Sequence, residues 1–266
     1  MSAIILNGKE LAAQMETAQA QRVRDLQARG VSPKLVVVMA GDNPASAIYV
    51  RNKARACERL GILSDTIHLP QTVSQQELLR VIDGLNADPT VHGILIQLPL
   101  PEHIDEDAII EAISPEKDVD AFHPVNVGRL SAGKPVLLPC TPAGIMEMLR
   151  AYEIPVEGKV CTVVGRSNIV GKPMAMMLLR ANGTVISCHS RTPRLAEFTR
   201  QADILVTSAG VLNSLTADYV RPGQIVIDVS INWDPEKINS KGGKGAIAGD
   251  AVFSEVEPIV EAITPV

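Results

Sequence analysis

Tyr49 and Lys53 stand four residues apart in the stretch SAIYVRNKARACERLG, residues 46 to 61. On a helix, residues at that spacing share one face. A phenol beside an ammonium group can hold a flat ring by stacking or hydrogen bonding and can move a proton. Cys57 continues the face and is apolar, which predicts partial burial. The same pattern also fits a solvated amphipathic helix, so the pair alone does not fix a function. Gln97 ends the strand-like part of GILIQLPLP (93–101). A polar side chain there must find a hydrogen-bond partner or line a cleft. Asp118 and Asp120 fall in a segment read as a loop, SPEKDVDAFHPVNVGRL (114–130). A carboxylate in such a loop could accept paired hydrogen bonds from an amino-heterocycle, or could equally close an Asx-turn.

A second group of candidates lies further along. VVGRSNIVGKP (163–173) places Gly165, Ser167 and Gly171 after an apolar strand and ahead of a helix. Small residues there allow a tight turn, and the following helix N-terminus favours phosphate. The next strand ends in Cys188-His189-Ser190-Arg191, with none of the acid that accepts ribose hydroxyls in NAD sites. A serine and an arginine there, with Arg166 in the turn, suit a 2′-phosphate, so NADP is the expected cofactor. Arg191 would look the same as a solvated loop residue. The five histidines have no metal-ligand spacing, the four cysteines form no C-x-x-C, and no metal is assigned.

These residues need elements to hold them. Apolar runs KLVVVMA (34–40), VHGILIQ (91–97), KVCTVVG (159–165), TVISC (184–188), DILVTSAG (203–210) and QIVIDVSIN (224–232) alternate with helix-length segments. That is the pattern of parallel sheets with helical crossovers. Helices are expected from Leu11 to a stop at Gly30, from Pro44 to Gly61, after a capping box of Ser74 and Glu77, over 141–152 with Thr141 as N-cap, and near 170–182. The glycine-rich NSKGGKGAIAGD (239–250) reads as a mobile turn. With 266 residues the chain exceeds one ordinary domain, and two lobes divided near 140–150 are expected. A net charge of −5 argues against a nucleic-acid partner. No signal peptide and no apolar run near the ~18 residues of a membrane span is read, so a cytoplasmic protein is expected.

Seven stretches, SAIYVRNKARACERLGI, GILIQLPLP, KDVDAFHPVNVGRL, PCTPAGIMEML, VVGRSNIVGKP, CHSRT and VIDVSIN, occur in order over nearly the whole chain. Together they resemble the bifunctional methylenetetrahydrofolate dehydrogenase / methenyltetrahydrofolate cyclohydrolase family. The resemblance implies two α/β lobes with a cleft between them, a folate-binding catalytic domain over 1–140 and a Rossmann-type NADP domain over 141–266. It implies oxidation of 5,10-methylenetetrahydrofolate by NADP, then hydrolysis of the methenyl product to 10-formyltetrahydrofolate. It assigns Tyr49 to stacking on the folate, Lys53 to proton transfer, Gln97 to orienting that lysine and Asp120 to the pterin, with Ser46 and Pro99 beside the substrate. Gly165, Arg166 and Ser167 become the phosphate turn, Ser190 and Arg191 the 2′-phosphate contacts, and Gly210 and Ile231 positions near the cofactor. A homodimer is implied as well.

Three departures stand out. Ala121 and Ser230 occupy positions where the family usually has glycine. The sequence ends at ITPV, where the family continues with a glycine-rich turn and a closing helix. A two-lobed dehydrogenase of the shikimate or amino-acid type, or a non-catalytic folate- or nucleotide-binding protein, would share parts of this pattern. The first would not require the Y-x-x-x-K helix together with Q-L-P-L-P; the second is separated by absorbance at 340 nm with methylenetetrahydrofolate and NADP.

Overall fold

A computed structural model describes residues 2–238 and 244–265. In chain order the elements begin with β1 (Ile4–Ile5), α1 (Gly8–Ala28), β2 (Lys34–Ala40), α2 (Pro44–Leu60), β3 (Leu63–Leu69), α3 (Gln75–Ala87), β4 (Gly93–Gln97), α4 (Glu106–Ala112) and α5 (Pro124–Ser131). They continue with α6 (Cys140–Ala151), β5 (Val160–Val164), α7 (Gly171–Arg180), β6 (Thr184–Cys188), α8 (Leu195–Gln201), β7 (Ile204–Thr207), β8 (Ile225–Asp228), β9 (Asn232–Ile238), β10 (Lys244–Ala248), α9 (Phe253–Val256) and β11 (Ala262–Ile263). The chain divides into two compact units, residues 12–140 and residues 1–11 with 141–266.

In the 12–140 unit, β2 lies between β3 and β4 in a parallel sheet. β2 is apolar from Leu35 to Ala40, as suits a strand covered on both faces. Val36, Val38 and Ala40 pack with Leu78 and Ile82 of α3 and Ile109 of α4. Val37 and Met39 point the other way and pack with Val50 of α2. The two-residue period of the strand therefore seats α2 on one face and α3 and α4 on the other. β3, LSDTIHL, was not read from sequence, since only Ser64, Ile67 and Leu69 of this edge strand are partly buried. Ser74 caps α3 as expected, its side chain accepting from the Glu77 amide at 3.2 Å.

The 114–130 segment is not all loop. His123 caps α5 by accepting from the Val125 amide at 3.1 Å, and Pro124 opens the helix. A proline at the first helical position is already fixed at a helical φ. Ahead of it, the chain runs along the edge of β4. Ile94 donates to the Lys117 carbonyl at 2.7 Å and bridges Asp118 in parallel sense. This approach is close enough that a Cβ on Gly93 would lie 2.5 Å from Val119 Cγ1, so any other residue there would displace Val119.

The other unit is built on six parallel strands in the order β1-β11-β8-β7-β5-β6. β7 and β8 are wholly buried, and Leu205, Val226 and Ile263 lie in its core. The expected domain boundary of 1–140 is corrected at the N-terminus. Ile4 donates to the Glu261 carbonyl at 2.8 Å and Leu6 to the Ile263 carbonyl at 2.9 Å, so β1 completes the sheet edge beside β11. The α6 helix starts at Cys140, which places Thr141 within the helix and not at its N-cap. Within the span read as a mobile turn, 244–248 is β10, paired antiparallel with β9, and 239–243 lies outside the described residues. The Trp233 ring crosses Gly245 so closely that a Cβ there would sit 2.3 Å from its Cζ2.

Candidate active site

In the 12–140 unit the separately predicted side chains meet. β2 pairs with β4 so that Met39 lies opposite Gln97 at the carboxyl end of the sheet. Val50 of α2 packs onto Met39, and one turn later Lys53 reaches the same strand end. Lys53 Nζ donates to Gln97 Oε1 at 3.0 Å, and Gln97 Nε2 donates to the Leu98 carbonyl at 2.8 Å. The amide is thereby held with its oxygen toward the lysine. Lys53 is half-buried, not in open solvent. Ser46 is buried, and its hydroxyl donates to the same Leu98 carbonyl at 3.4 Å. Pro99 is exposed and follows a cis peptide. Tyr49 is 46% exposed, leaving its ring free for a ligand.

Asp118 and Asp120, equivalent in the sequence, differ in the structure. Asp118 is buried and accepts from the His123 amide and Asn126 Nδ2, both at 2.9 Å, so it organises its own loop. Asp120 has no such pairing. Burial pushes its carboxyl above the ordinary carboxylate range; the Lys53 ammonium opposes this, Asp118 adds to it, and a hydrogen bond from Cys140 opposes it. The Cys140 thiol is in turn pushed up to about 11 by loss of solvent at its sulfur and by the Asp120 charge. Cys140 is exposed as a residue, yet its sulfur lies 3.7 Å from the Val119 carbonyl.

One support of this loop was not read from sequence. Lys117 Nζ donates to the carbonyls of Leu85, Asn86 and Asp88 at 2.7–2.9 Å, capping the C-terminus of α3. The K-D-V-D segment is thus anchored through its first two residues, Lys117 and Asp118, and not through Asp120. The lysine directly before two aspartates was the available signal. Ala121, read as a small change from glycine, sits at φ +56°, in the left-handed region. That conformation favours glycine, so the substitution carries strain.

In the other unit, the turn after β5 and the end of β6 are neighbours, since Val164 pairs with Cys188 and Gly165 donates to the Cys188 carbonyl at 2.9 Å. Gly165 has φ +133°, and a Cβ there would meet the Ser208 carbonyl at 2.6 Å. A Cβ on Gly171 would lie 2.3 Å from the Gly165 carbonyl. Gly165 therefore lets the turn lie against the segment after β7, and Gly171 brings the helix start against the turn's own backbone. Ser167 Oγ accepts from the amides of Val170 and Gly171 at 3.2 and 3.3 Å. Among the described residues, the amides of Arg166, Ser167, Asn168 and Ile169 meet no acceptor. Ser190 and Arg191 are presented in the turn His189–Thr192, closed by bonds from the His189 amide to Thr192 Oγ1 and from the Arg191 amide to His189 Nδ1. The guanidinium groups of Arg166 and Arg191 are exposed and make no ion pair among the described residues. Free amides before a helix and two unpaired guanidinium groups are a donor set suited to phosphate.

Gly210 and Ile231 lie on the loops after β7 and β8, both exposed. Ser230 is not in the left-handed region, so a serine costs no backbone strain there. Its hydroxyl turns inward, donating to Asp250 Oδ2 at 2.8 Å and accepting from the Gly210 amide at 3.1 Å. Asp250 was not singled out from sequence. It is fully buried and accepts five hydrogen bonds. Among the described residues no group of three or more His, Cys, Asp or Glu side chains is placed to hold a metal, and no helix is long and apolar enough to cross a membrane.

Comparison with known proteins gives consistent matches. The tetrahydrofolate dehydrogenase/cyclohydrolase catalytic-domain family model matches residues 6–120, and the NAD(P)-binding-domain model of the same family matches 139–266. The bifunctional protein FolD of Burkholderia ambifaria is 52% identical over 100% of this chain and 90% of its own. A crystal structure of the bifunctional FolD enzyme, methylenetetrahydrofolate dehydrogenase/cyclohydrolase, from Campylobacter jejuni aligns with a TM-score of 0.93 and 47% identity, covering 100% of this chain and 92% of that one. The Trypanosoma brucei enzyme, solved with NADP cofactor and an inhibitor, aligns with a TM-score of 0.93 and 34% identity over 100% and 91%.

Proposed function

The chain belongs to the tetrahydrofolate dehydrogenase/cyclohydrolase family, and on that premise we propose how its residues divide the work. The protein is a bifunctional enzyme. It oxidises 5,10-methylenetetrahydrofolate to 5,10-methenyltetrahydrofolate with NADP and hydrolyses that product to 10-formyltetrahydrofolate. The observation that carries the residue assignment is the Lys53–Gln97 hydrogen bond of 3.0 Å at the carboxyl end of the parallel sheet, where α/β proteins bind ligands.

The 12–140 unit is assigned the folate. Tyr49 offers its exposed ring as a platform, and Asp120 accepts from the amino-heterocycle. A half-buried carboxylate without a full set of internal donors is suited to a ligand that brings its own N–H groups. Lys53 moves the proton in hydrolysis. The methenyl carbon is already electrophilic, so its hydrolysis needs a positioned water and a group to handle the proton. Gln97 accepts one Nζ hydrogen and fixes the direction of the rest. Ser46 and Pro99 border the same strand end.

The 141–266 portion is assigned NADP. The free amides of the turn, with Ser167, Arg166, Ser190 and Arg191, would hold the phosphates, and Gly210 and Ile231 lie on loops toward the rest of the cofactor. When bound, NADP supplies the hydride acceptor. The protein's part is to hold it by its phosphates, and Arg191 in place of an acid selects the 2′-phosphate. We assign a homodimer to the exposed apolar side chains Trp233, Ile238 and Ile247 on the β9–β10 hairpin, and place the enzyme in the cytoplasm. Absorbance at 340 nm with methylenetetrahydrofolate and NADP tests the reaction. No cofactor reduction with intact protein would reject it. Light scattering tests the dimer, and a monomer would reject that part alone.

A further inference from the structure

Asp250 is a fully buried carboxylate with no ion pair among the described residues. Its Oδ2 accepts from Thr207 Oγ1 at 2.7 Å, the Ala209 amide at 2.8 Å and Ser230 Oγ at 2.8 Å. Its Oδ1 accepts from the Val211 amide at 2.8 Å and Asn232 Nδ2 at 3.2 Å. Burying a charge is costly unless hydrogen bonds replace its water. Here the replacement comes almost entirely from two segments, Thr207–Val211 after β7 and Ser230–Asn232 after β8. The outward side chains of these segments do little to hold them, Val211 being 55% and Ile231 60% exposed, while Thr207 and Ser230 turn inward and are buried. The Asp250 carboxylate collects bonds from both segments, and Asp228 Oδ1 adds one from the Ser230 amide at 3.2 Å.

We propose that Asp250, with Ser230, is the positioning unit for the two cofactor-facing loops that carry Gly210 and Ile231. The inference rests on the assignment of NADP to this portion of the chain. Asp250 is itself fixed from below, because its own amide donates to Asp228 Oδ1 at 3.2 Å and that of Ala251 to Asp228 Oδ2 at 2.7 Å. Ser230 adds a direct link between the loops, since its one hydroxyl serves both Asp250 and the Gly210 amide. A glycine at 230 would have no such link. The Gly210 amide is thereby engaged by the protein and not offered to a ligand.

The variants Asp250→Asn and Ser230→Ala test this. Asparagine keeps the shape but turns an NH2 toward one of the two backbone amides, whichever way the side chain faces. Amide hydrogen exchange on the ligand-free protein should quicken at Ala209, Gly210 and Val211 while β5 stays protected. Calorimetry should show NADP binding weakened ~10- to 100-fold in Asp250→Asn, the range of one or two charge-assisted hydrogen bonds. Cofactor-free hydrolysis of methenyltetrahydrofolate should be unchanged. Ser230→Ala should bind NADP a few-fold more weakly, with faster exchange at Gly210, and it carries the test should Asp250→Asn fail to fold. Unchanged exchange and unchanged NADP affinity in a folded variant would overturn the proposal. A wild-type protein that binds no NADP would overturn the cofactor assignment instead, and the exchange result, which uses no ligand, would still report on the clamp.

Discussion

On the folate side most polar groups are paired with one another, Asp120 apart: Lys53 with Gln97, Gln97 with the Leu98 carbonyl, Asp118 with Asn126. Around Arg191 they are not. Two guanidinium groups, a serine and a row of turn amides stand without partners among the described residues. The difference follows the task assigned to each region. Proton transfer needs a group held in one direction by its neighbours. Binding a polyanion needs donors left open until the anion arrives. Where the second region does use an internal network, around Asp250, the groups are buried beneath the exposed loops.

Substitutions can break this comparison on either side. The largest effect is expected from Lys53→Met, which should lower methenyltetrahydrofolate hydrolysis by at least ~10²- to 10⁴-fold, the usual contribution of a positioned proton-transfer group. NADP affinity should not change, and a binding titration on the same protein checks this. Next comes Arg191→Ala. It should weaken NADP by ~10- to 100-fold, with little change for NAD, since one charge-assisted contact contributes about 1.5–3 kcal/mol. Equal losses for both cofactors would remove the 2′-phosphate assignment.

A smaller effect concerns stability. Burial raises the Asp120 carboxyl above its ordinary range. The folded protein therefore binds this proton more tightly than the unfolded chain does. Stability contributed by the site falls as pH rises from the ordinary Asp value of about 4 through the folded-state value. Asp120→Asn removes that cost. The variant should be the more stable protein at pH 7, with the gap closing toward pH 4, and it should lose activity. Thermal unfolding at the two pH values reads the sign directly, and a variant less stable at pH 7 would show that the Lys53 attraction outweighs burial. The smallest effect is Ala121→Gly. Releasing an alanine from φ +56° should add about 0.5 kcal/mol, the residue of a left-handed penalty of about 1–2 kcal/mol less the entropy glycine brings. A drop in melting temperature would mean that the buried methyl outweighs the strain.

Much of the folate side was legible in the sequence because its logic is local. The i, i+4 spacing put Tyr49 and Lys53 on one helix, and a glutamine closing the apolar run of β4 had to be paired. Strands buried on both faces, such as β2 and β7, were visible as continuous apolar runs. What escaped was long-range. Nothing near Ile4 and Ile5 announces that they pair with β11, more than 250 residues later in the chain. Asp250 follows a glycine-rich stretch and looks like a turn residue, and its five donors come from residues 18–43 positions away. Asp118 and Asp120 were indistinguishable by type. Only the packing of Asn126 and the His123 amide against one of them separates the loop-organising carboxylate from the one left for a ligand.

The central claim is that proton chemistry belongs to Lys53 and cofactor choice to Arg191, each without the other. Cofactor-free hydrolysis of methenyltetrahydrofolate, measured side by side in Lys53→Met and Arg191→Ala, tests it most directly. The rate should vanish in the first and match the wild type in the second. Full hydrolysis by Lys53→Met would contradict the account.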